Sequence, residues 1–347
     1  MIAIDKVIYF EKLLSSPLNS RTILTSLDPP KHFDQAQFSN YIPEPDYPSQ
    51  KKALEAVKGF INDLSTKNNA SGFTRWFSKG PASGSGLYLD GGFGIGKTHL
   101  LASAYHSFTG KKVFLSFQEL MFLVGLERLQ GVVELLKGTQ LLVIDEFELD
   151  DPANTRITTN LLEQLFDHGV SILTSSNTPP GALGEGKFSV EDFKRELGKL
   201  TNHFNTLRID GEDYRIVHHL NDHAATKWVN SEAELQAIIA NAQDDNSIIN
   251  MEFSDFLKVL SSAHPMRVRS ALSTMTTIIL HGVSTIAHPH EALRFVYAID
   301  KAYDNNITFY ASSSVSPEGL FHSSYFTGGD TKKYLRSISR LKEMIRS

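Results

Sequence analysis

The chain has 347 residues, 41% hydrophobic and 21% charged, a globular balance with material for one large domain or two smaller ones. A net charge of −5 argues against a constitutive nucleic-acid surface, and the absence of cysteine excludes disulfide frameworks and thiolate metal sites. Met1 to Phe10 carries Asp5 and Lys6 within a short apolar stretch rather than a signal-peptide core, and no run approaches the ~20 apolar residues of a membrane span, so a cytoplasmic protein is expected.

Residues 1–84 read as a mostly helical lead-in. Pro43, Pro45 and Pro48 keep 43–49 extended or looped, and Ala53, Val57, Phe60, Ile61 and Leu64 give Gln50 to Leu64 helical spacing. Residues 67–85 are rich in Asn, Ser, Gly and Pro and predict a loop. From Gly86 short apolar strands alternate with helices. Strands are expected at 87–89, 113–117, 141–144 and 170–174, and helices at 97–106, 120–136, 158–167 and 193–204. A fifth strand is expected at 206–209 or at 307–311. This alternation predicts an α/β fold, a P-loop NTPase parallel sheet covered by helices on both faces. The predicted ATPase core is 85–215. Residues 216–347 form an α+β, lid-like C-terminal region with helices at 253–260, 292–303 and 332–345. Leu161 to Asn177 and Phe295 to Ser313 share a helix, a turn after an acidic residue, a strand and a polar end. That pattern is too common to argue shared ancestry alone.

Gly91-Gly92-Phe93-Gly94-Ile95-Gly96-Lys97-Thr98 matches G-x-x-x-x-G-K-[ST] in full, between an expected strand and an expected helix. The glycines let successive N–H groups point at phosphate oxygens, and the helix beginning near Lys97 adds its positive end. Lys97 reaches the β- and γ-phosphates of ATP, and Thr98 offers a hydroxyl to Mg²⁺. Leu141-Leu142-Val143-Ile144 is a buried strand ending in Asp145-Glu146, at the edge where open α/β sheets place ligands. Asp145 is the candidate Mg²⁺ ligand and Glu146 the candidate base for the attacking water. Ile172 to Ser176 leads to Asn177, which either contacts the γ-phosphate or forms the turn before Thr178-Pro179-Pro180.

Hydrolysis also calls for a cation at the γ-phosphate. Between Gly91 and Asn177 the arginines are Arg128 and Arg156, neither well placed for that task. Arg195 is the first candidate, on the helix after the Asn177 strand, followed by Arg208, Arg215, Arg294, Arg336 and Arg340. An arginine imported from the next subunit implies a homo-oligomer. The 13 histidines form no defensible ligand set, and Arg267-Val268-Arg269 is too small to argue nucleic-acid binding.

Gly86 to Thr98, Asp145-Glu146-Phe147, Thr174 to Asn177 and Asp213-Tyr214-Arg215 together resemble the ZapE-type AAA+ ATPases, bacterial cell-division ATPases and their mitochondrial relatives. The resemblance continues through Leu293-Arg294-Phe295, Asp300 to Tyr303 and Ser339 to Met344. It implies a AAA+ module that works as an oligomer on a protein substrate, with an FtsZ-type division protein as the specific case. The chain departs from the resemblance at Asp192, where many relatives place an arginine before the phenylalanine matching Phe193. It departs again at Leu293, where relatives often carry the first of two arginines. The alternatives are a helicase-loader-like AAA+ ATPase, which calls for a basic face, and a P-loop kinase, which calls for an acceptor site.

Overall fold

The computed structural model describes residues 10, 12–15, 19–69, 83–92, 94–149, 152–178, 198, 202–212, 227–239 and 247–346. The chain divides into two compact units, one of 20–29 and 33–220, the other of 1–19, 30–32 and 221–347.

In the first unit, α1 (Pro48–Asn69) precedes β1 (Gly86–Gly91), α2 (Lys97–Ser107), β2 (Lys112–Ser116), α3 (Phe117–Leu136), β3 (Leu141–Asp145), α4 (Pro152–Asp167), β4 (Ser171–Ser176) and β5 (Phe204–Ile209). The sheet order is β2-β3-β4-β1-β5, every pair parallel. Residue alternation sends Leu87, Leu89, Leu141, Val143 and Leu173 to one face, where they meet Leu100, Leu101 and Ala104 of α2 and Ala53, Val57 and Ile61 of α1. On the other face Tyr88 lies edge-on to Phe147 and Phe204, each 6.0 Å away. There α3 packs on β2 and β3, and α4 on β4. Truncating a fully buried leucine such as Leu100 to alanine costs about 2–5 kcal/mol in such a core.

Several boundaries depart from expectation: α1 starts at Pro48 and runs to Asn69, into stretches read as loop, and α4 starts at Pro152 rather than 158. The second strand stops at Ser116, not Phe117, because Ser116 caps α3. Its hydroxyl accepts from Glu119 N (3.3 Å), and the Glu119 carboxylate accepts from Ser116 N (2.8 Å). Within α3 the chain breaks at Arg128, with φ 59° and ψ 168°. The helix expected over 193–204 cannot reach Phe204, which opens β5; most of that segment lies outside the described residues. The fifth strand is Phe204–Ile209 beside β1, and 308–313 belongs to a separate sheet.

The second unit contains β6 (Trp228–Val229), α5 (Glu232–Ile239), β7 (Ile248–Glu252), α6 (Phe253–Ser262), α7 (Pro265–Leu272), β8 (Thr277–Val283), α8 (Pro289–Asp304), β9 (Thr308–Ser313) and α9 (Thr331–Arg346). Its sheet, β6-β9-β8-β7, is also wholly parallel. On one face Leu235 of α5 packs with Ile248 and Ile279. Elsewhere Phe253 and Phe256 of α6 meet Phe295 of α8 edge-on. Asp300 of α8 binds two guanidinium groups of α9, Arg336 at 2.8 Å and Arg340 at 2.6 Å. Burial works to raise the Asp300 pKa, but Arg340 and then Arg336 outweigh it and hold the carboxyl below the ordinary range. Tyr303 adds a hydrogen bond to Glu343 (2.5 Å) and lies under Arg340.

Among the described residues, no helix is long and apolar enough to cross a membrane.

Candidate functional site

The site is assembled at the carboxyl ends of β1, β3 and β4, neighbours in the first sheet. Gly91 ends β1, and the loop returns through Gly94 and Gly96 to start α2 at Lys97. Gly96 sits at φ 86°, and a Cβ there would come within 2.7 Å of the Tyr41 ring. Only glycine therefore allows the loop to turn beneath that ring. Ile95 is buried, with its side chain directed toward Gly91 and Gly211, so the loop is anchored from below.

Lys97 is 8% exposed. Its ammonium donates to Gly91 O (2.9 Å), to Gly92 O and to Asn177 Oδ1 (2.9 Å). Thr98 Oγ1 donates to Asp145 Oδ2 (2.9 Å). Asp145 Oδ1 accepts from the Ser175 hydroxyl and from Glu146 N (3.0 Å). Glu146 adopts φ 52°, in the left-handed region, where a non-glycine residue costs about 1–2 kcal/mol. Its amide also reaches Ser175 Oγ (3.3 Å), and Phe147 N donates to Ser175 O (2.7 Å).

Burial, and then the charge of Glu146, raise the Asp145 pKa; the bonds from Ser175, Thr98 and Glu146 N oppose the rise. Burial likewise raises the pKa of Asp90, the penultimate residue of β1 before the loop, against Arg208 and Lys97. A site with buried carboxylates beside one lysine favours an incoming cation.

Gly91, Gly92, Gly94, Ile95, Gly96, Lys97, Thr98, Asp145, Glu146 and Asn177 thus lie together. Phe93, Arg195 and Arg215 lie outside the described residues. Arg208 is exposed and paired with Asp210 (3.1 Å), while Arg336 and Arg340 are engaged by Asp300. Three contributors escaped the sequence reading: Tyr41, Asp90 and Ser175. Ser175 was visible only as part of a polar strand end, and Tyr41 only as an aromatic before a proline-rich stretch.

Among the described residues, no group of three or more His, Cys, Asp or Glu side chains could hold a metal ion. Mg²⁺ asks for less, one or two protein ligands with phosphate and water oxygens completing the shell. The adjoining Thr98 hydroxyl and Asp145 carboxylate suit it, and the glycine loop suits phosphate.

A family model described as AFG1-like ATPase matches residues 18–347. The cell division protein ZapE of Escherichia coli (strain K12) is 25% identical over 296 residues, 75% of this chain and 77% of that protein. Among solved structures, DnaI gives a TM-score of 0.38 at 20% identity, covering 59% of this chain and 99% of the other. Domain III of the Thermotoga maritima replication initiation protein DnaA gives 0.39 at 15% identity, covering 96% and 100%.

Proposed function

The chain belongs to the AFG1-like ATPase family, and on that premise we propose that its first unit binds Mg-ATP and hydrolyses it to drive remodelling of a protein partner. The observation that carries this reading is the double pairing of Thr98 with Asp145 and of Lys97 with Asn177, each at 2.9 Å, across three adjacent strand ends.

The backbone from Gly91 to Thr98 cradles the phosphates, and Lys97 directs its charge at the β- and γ-phosphates. Thr98 and Asp145 would hold Mg²⁺, which would neutralise charge on the phosphate oxygens. Glu146 accepts the proton of the attacking water. Asn177 hydrogen-bonds the γ-phosphate or orients that water. Arg195 of a neighbouring copy supplies the missing cation, so the working form is a homo-oligomer assembled head to tail. In this reading 85–215 is the AAA+ ATPase core, 1–84 its lead-in and 216–347 a lid-like region. Relatives named as cell division proteins support a partner in cell division, and a division-ring protein of the FtsZ type is the specific case proposed.

The test is a Glu146→Gln variant, which removes the base and keeps the shape. Nucleotide affinity should persist while turnover falls at least ~100-fold, and partners should accumulate on the ATP-held form. Normal turnover by that variant would show that another group activates the water.

A further inference from the structure

The two sheets are built to one plan. Read in space, β2-β3-β4-β1 of the first unit matches β7-β8-β9-β6 of the second, strand for strand in chain order. The registers match as well. Ser116 pairs with Asp145 across β2 and β3, as Glu252 pairs with His281 across β7 and β8. Ser116 and Glu252 each stand at the N-cap of the following helix. Ile144 pairs with Thr174, as Leu280 pairs with Ala311; past Leu280 the register of β8 on β9 shifts by one residue before Val283 pairs with Ser313. The turns entering β4 and β9 also agree. Gly169 and Asn306 both have positive φ, and Val170 N→Leu165 O and Ile307 N→Ala302 O are both 3.0 Å.

The correspondence reaches the active-site turn. Glu146 and Gly282, each one residue past the matched pair, have φ 52° and 65°. The Glu146 amide is shared between Asp145 Oδ1 at 3.0 Å and the Ser175 hydroxyl at 3.3 Å, and the Gly282 amide donates to the Ser312 hydroxyl at 3.0 Å. One hydroxyl on the facing strand holds one left-handed residue in both units.

The units differ in what surrounds that turn. In the first, a glycine loop joins β1 to α2. In the second, only Asn230 and Ser231 lie between β6 and α5, too short a link for a phosphate loop. Glu232, at the start of α5, accepts instead from Ser312 Oγ (2.9 Å) and His281 Nδ1 (2.7 Å). Among its described residues the second unit has no lysine, carboxylate pair or glycine loop at the matched positions, yet it keeps the hydroxyl–amide bond. The device therefore belongs to the scaffold and does not need a nucleotide to form it. Where it carries no chemistry the turn residue is glycine, which adopts that conformation freely. Where the residue is Glu146, the backbone is strained and something must hold it.

We propose that Ser175 is the positioning residue for hydrolysis, its single hydroxyl fixing both members of the acidic pair. It donates to Asp145 Oδ1 and accepts from the Glu146 amide, which a hydroxyl can do at once. The Glu146 backbone is thereby set before any ligand arrives, and Asp145 is turned so that its other oxygen meets Thr98. The proposal rests on the assignment of Glu146 as base.

The second unit supplies the control. Ser175→Ala should lower kcat by at least ~10-fold, the scale of one lost hydrogen bond to a charged or reacting group. KM and the affinity for a fluorescent ATP analogue should stay within about threefold of wild type, since the phosphate loop is untouched. Ser175→Thr keeps the hydroxyl and should recover most of the turnover. Ser312→Ala deletes the same bond in the second unit and should leave kcat unchanged. In the wild-type protein without nucleotide, the Glu146 amide should exchange its hydrogen slowly. Unprotected exchange at that amide would overturn the proposal even if the alanine variant did not fold. So would wild-type kcat in Ser175→Ala, equal losses of kcat and analogue affinity, or an equal loss of kcat in Ser312→Ala. Glu146→Gln, assayed alongside, separates the two claims. If it turns over normally, the base assignment and the positioning role fall together. If it is slow while Ser175→Ala is not, the positioning role alone falls.

Discussion

Asp300 offers a direct test of the packing in the second unit. Its side chain is 7% exposed and faces the guanidinium groups of Arg336 and Arg340, themselves 21% and 14% exposed. Asp300→Asn removes the charge but keeps an amide oxygen that still accepts one bond. Breaking a buried pair by removing one partner costs about 3–5 kcal/mol, and the residual bond places this change near ~3 kcal/mol. That is a large part of the ~5–15 kcal/mol that holds a typical domain. The pH dependence has a definite sign. Burial pushes the Asp300 pKa up, but Arg340 and Arg336 prevail and the folded value is lowered. A depressed folded pKa contributes stability above the unfolded value, about 3.9, and that stability is lost as pH falls through the folded value. The gap between wild type and Asp300→Asn should therefore be full at neutral pH and close under strongly acid conditions. Trp228 provides a local reporter, since it stacks on Phe309 and donates to Val315 O (2.9 Å). Urea unfolding followed by its fluorescence, in a Trp76→Phe background, gives the difference at each pH. A gap below ~1 kcal/mol at neutral pH, or one that widens on acidification, would refute the ion-pair account.

Lys97→Ala should largely abolish nucleotide binding, since it deletes the charge aimed at the phosphates; near-native affinity in a fluorescent-analogue titration would sink the loop assignment. Gly96→Ala forces a side chain to φ 86° and into the Tyr41 ring, costing about 1–2 kcal/mol for the conformation and ~1–3 kcal/mol for crowding. A lowered melting temperature with weakened nucleotide binding is expected, and wild-type values for both would contradict the geometry. Arg195→Ala should bind ATP normally yet hydrolyse it ~10³-fold more slowly. Mixing it with Lys97→Ala should restore part of the turnover, and no recovery in proven mixed oligomers would exclude a trans-acting Arg195.

The phosphate loop was legible because glycine, lysine and threonine stand at fixed offsets between a strand and a helix. The acidic pair was legible because four apolar residues in a row announce a buried strand. The break at Arg128 was not, since the apolar positions of α3 continue on both sides of it. Arg336 and Arg340 show helical spacing, but nothing in their vicinity names Asp300, a partner on another helix. The repeated plan surfaced only as the resemblance between 161–177 and 295–313, where helix, turn and strand are alike in length. Elsewhere the copies differ in their links: a glycine loop in one, Asn230-Ser231 in the other. Strand order and register are invisible until the sheets are seen.

The Lys97 ammonium has three hydrogens, and oxygens of Gly91, Gly92 and Asn177 are among its acceptors. A phosphate oxygen that takes one of these hydrogens must evict a neutral carbonyl, so docking swaps one contact for another rather than adding one. The benefit lies in the difference between a charged and an uncharged acceptor, roughly a doubling of bond strength. Anions that bring little negative charge to that spot gain little from the swap. The loop therefore weighs incoming ligands by their charge at the lysine and not merely by their shape.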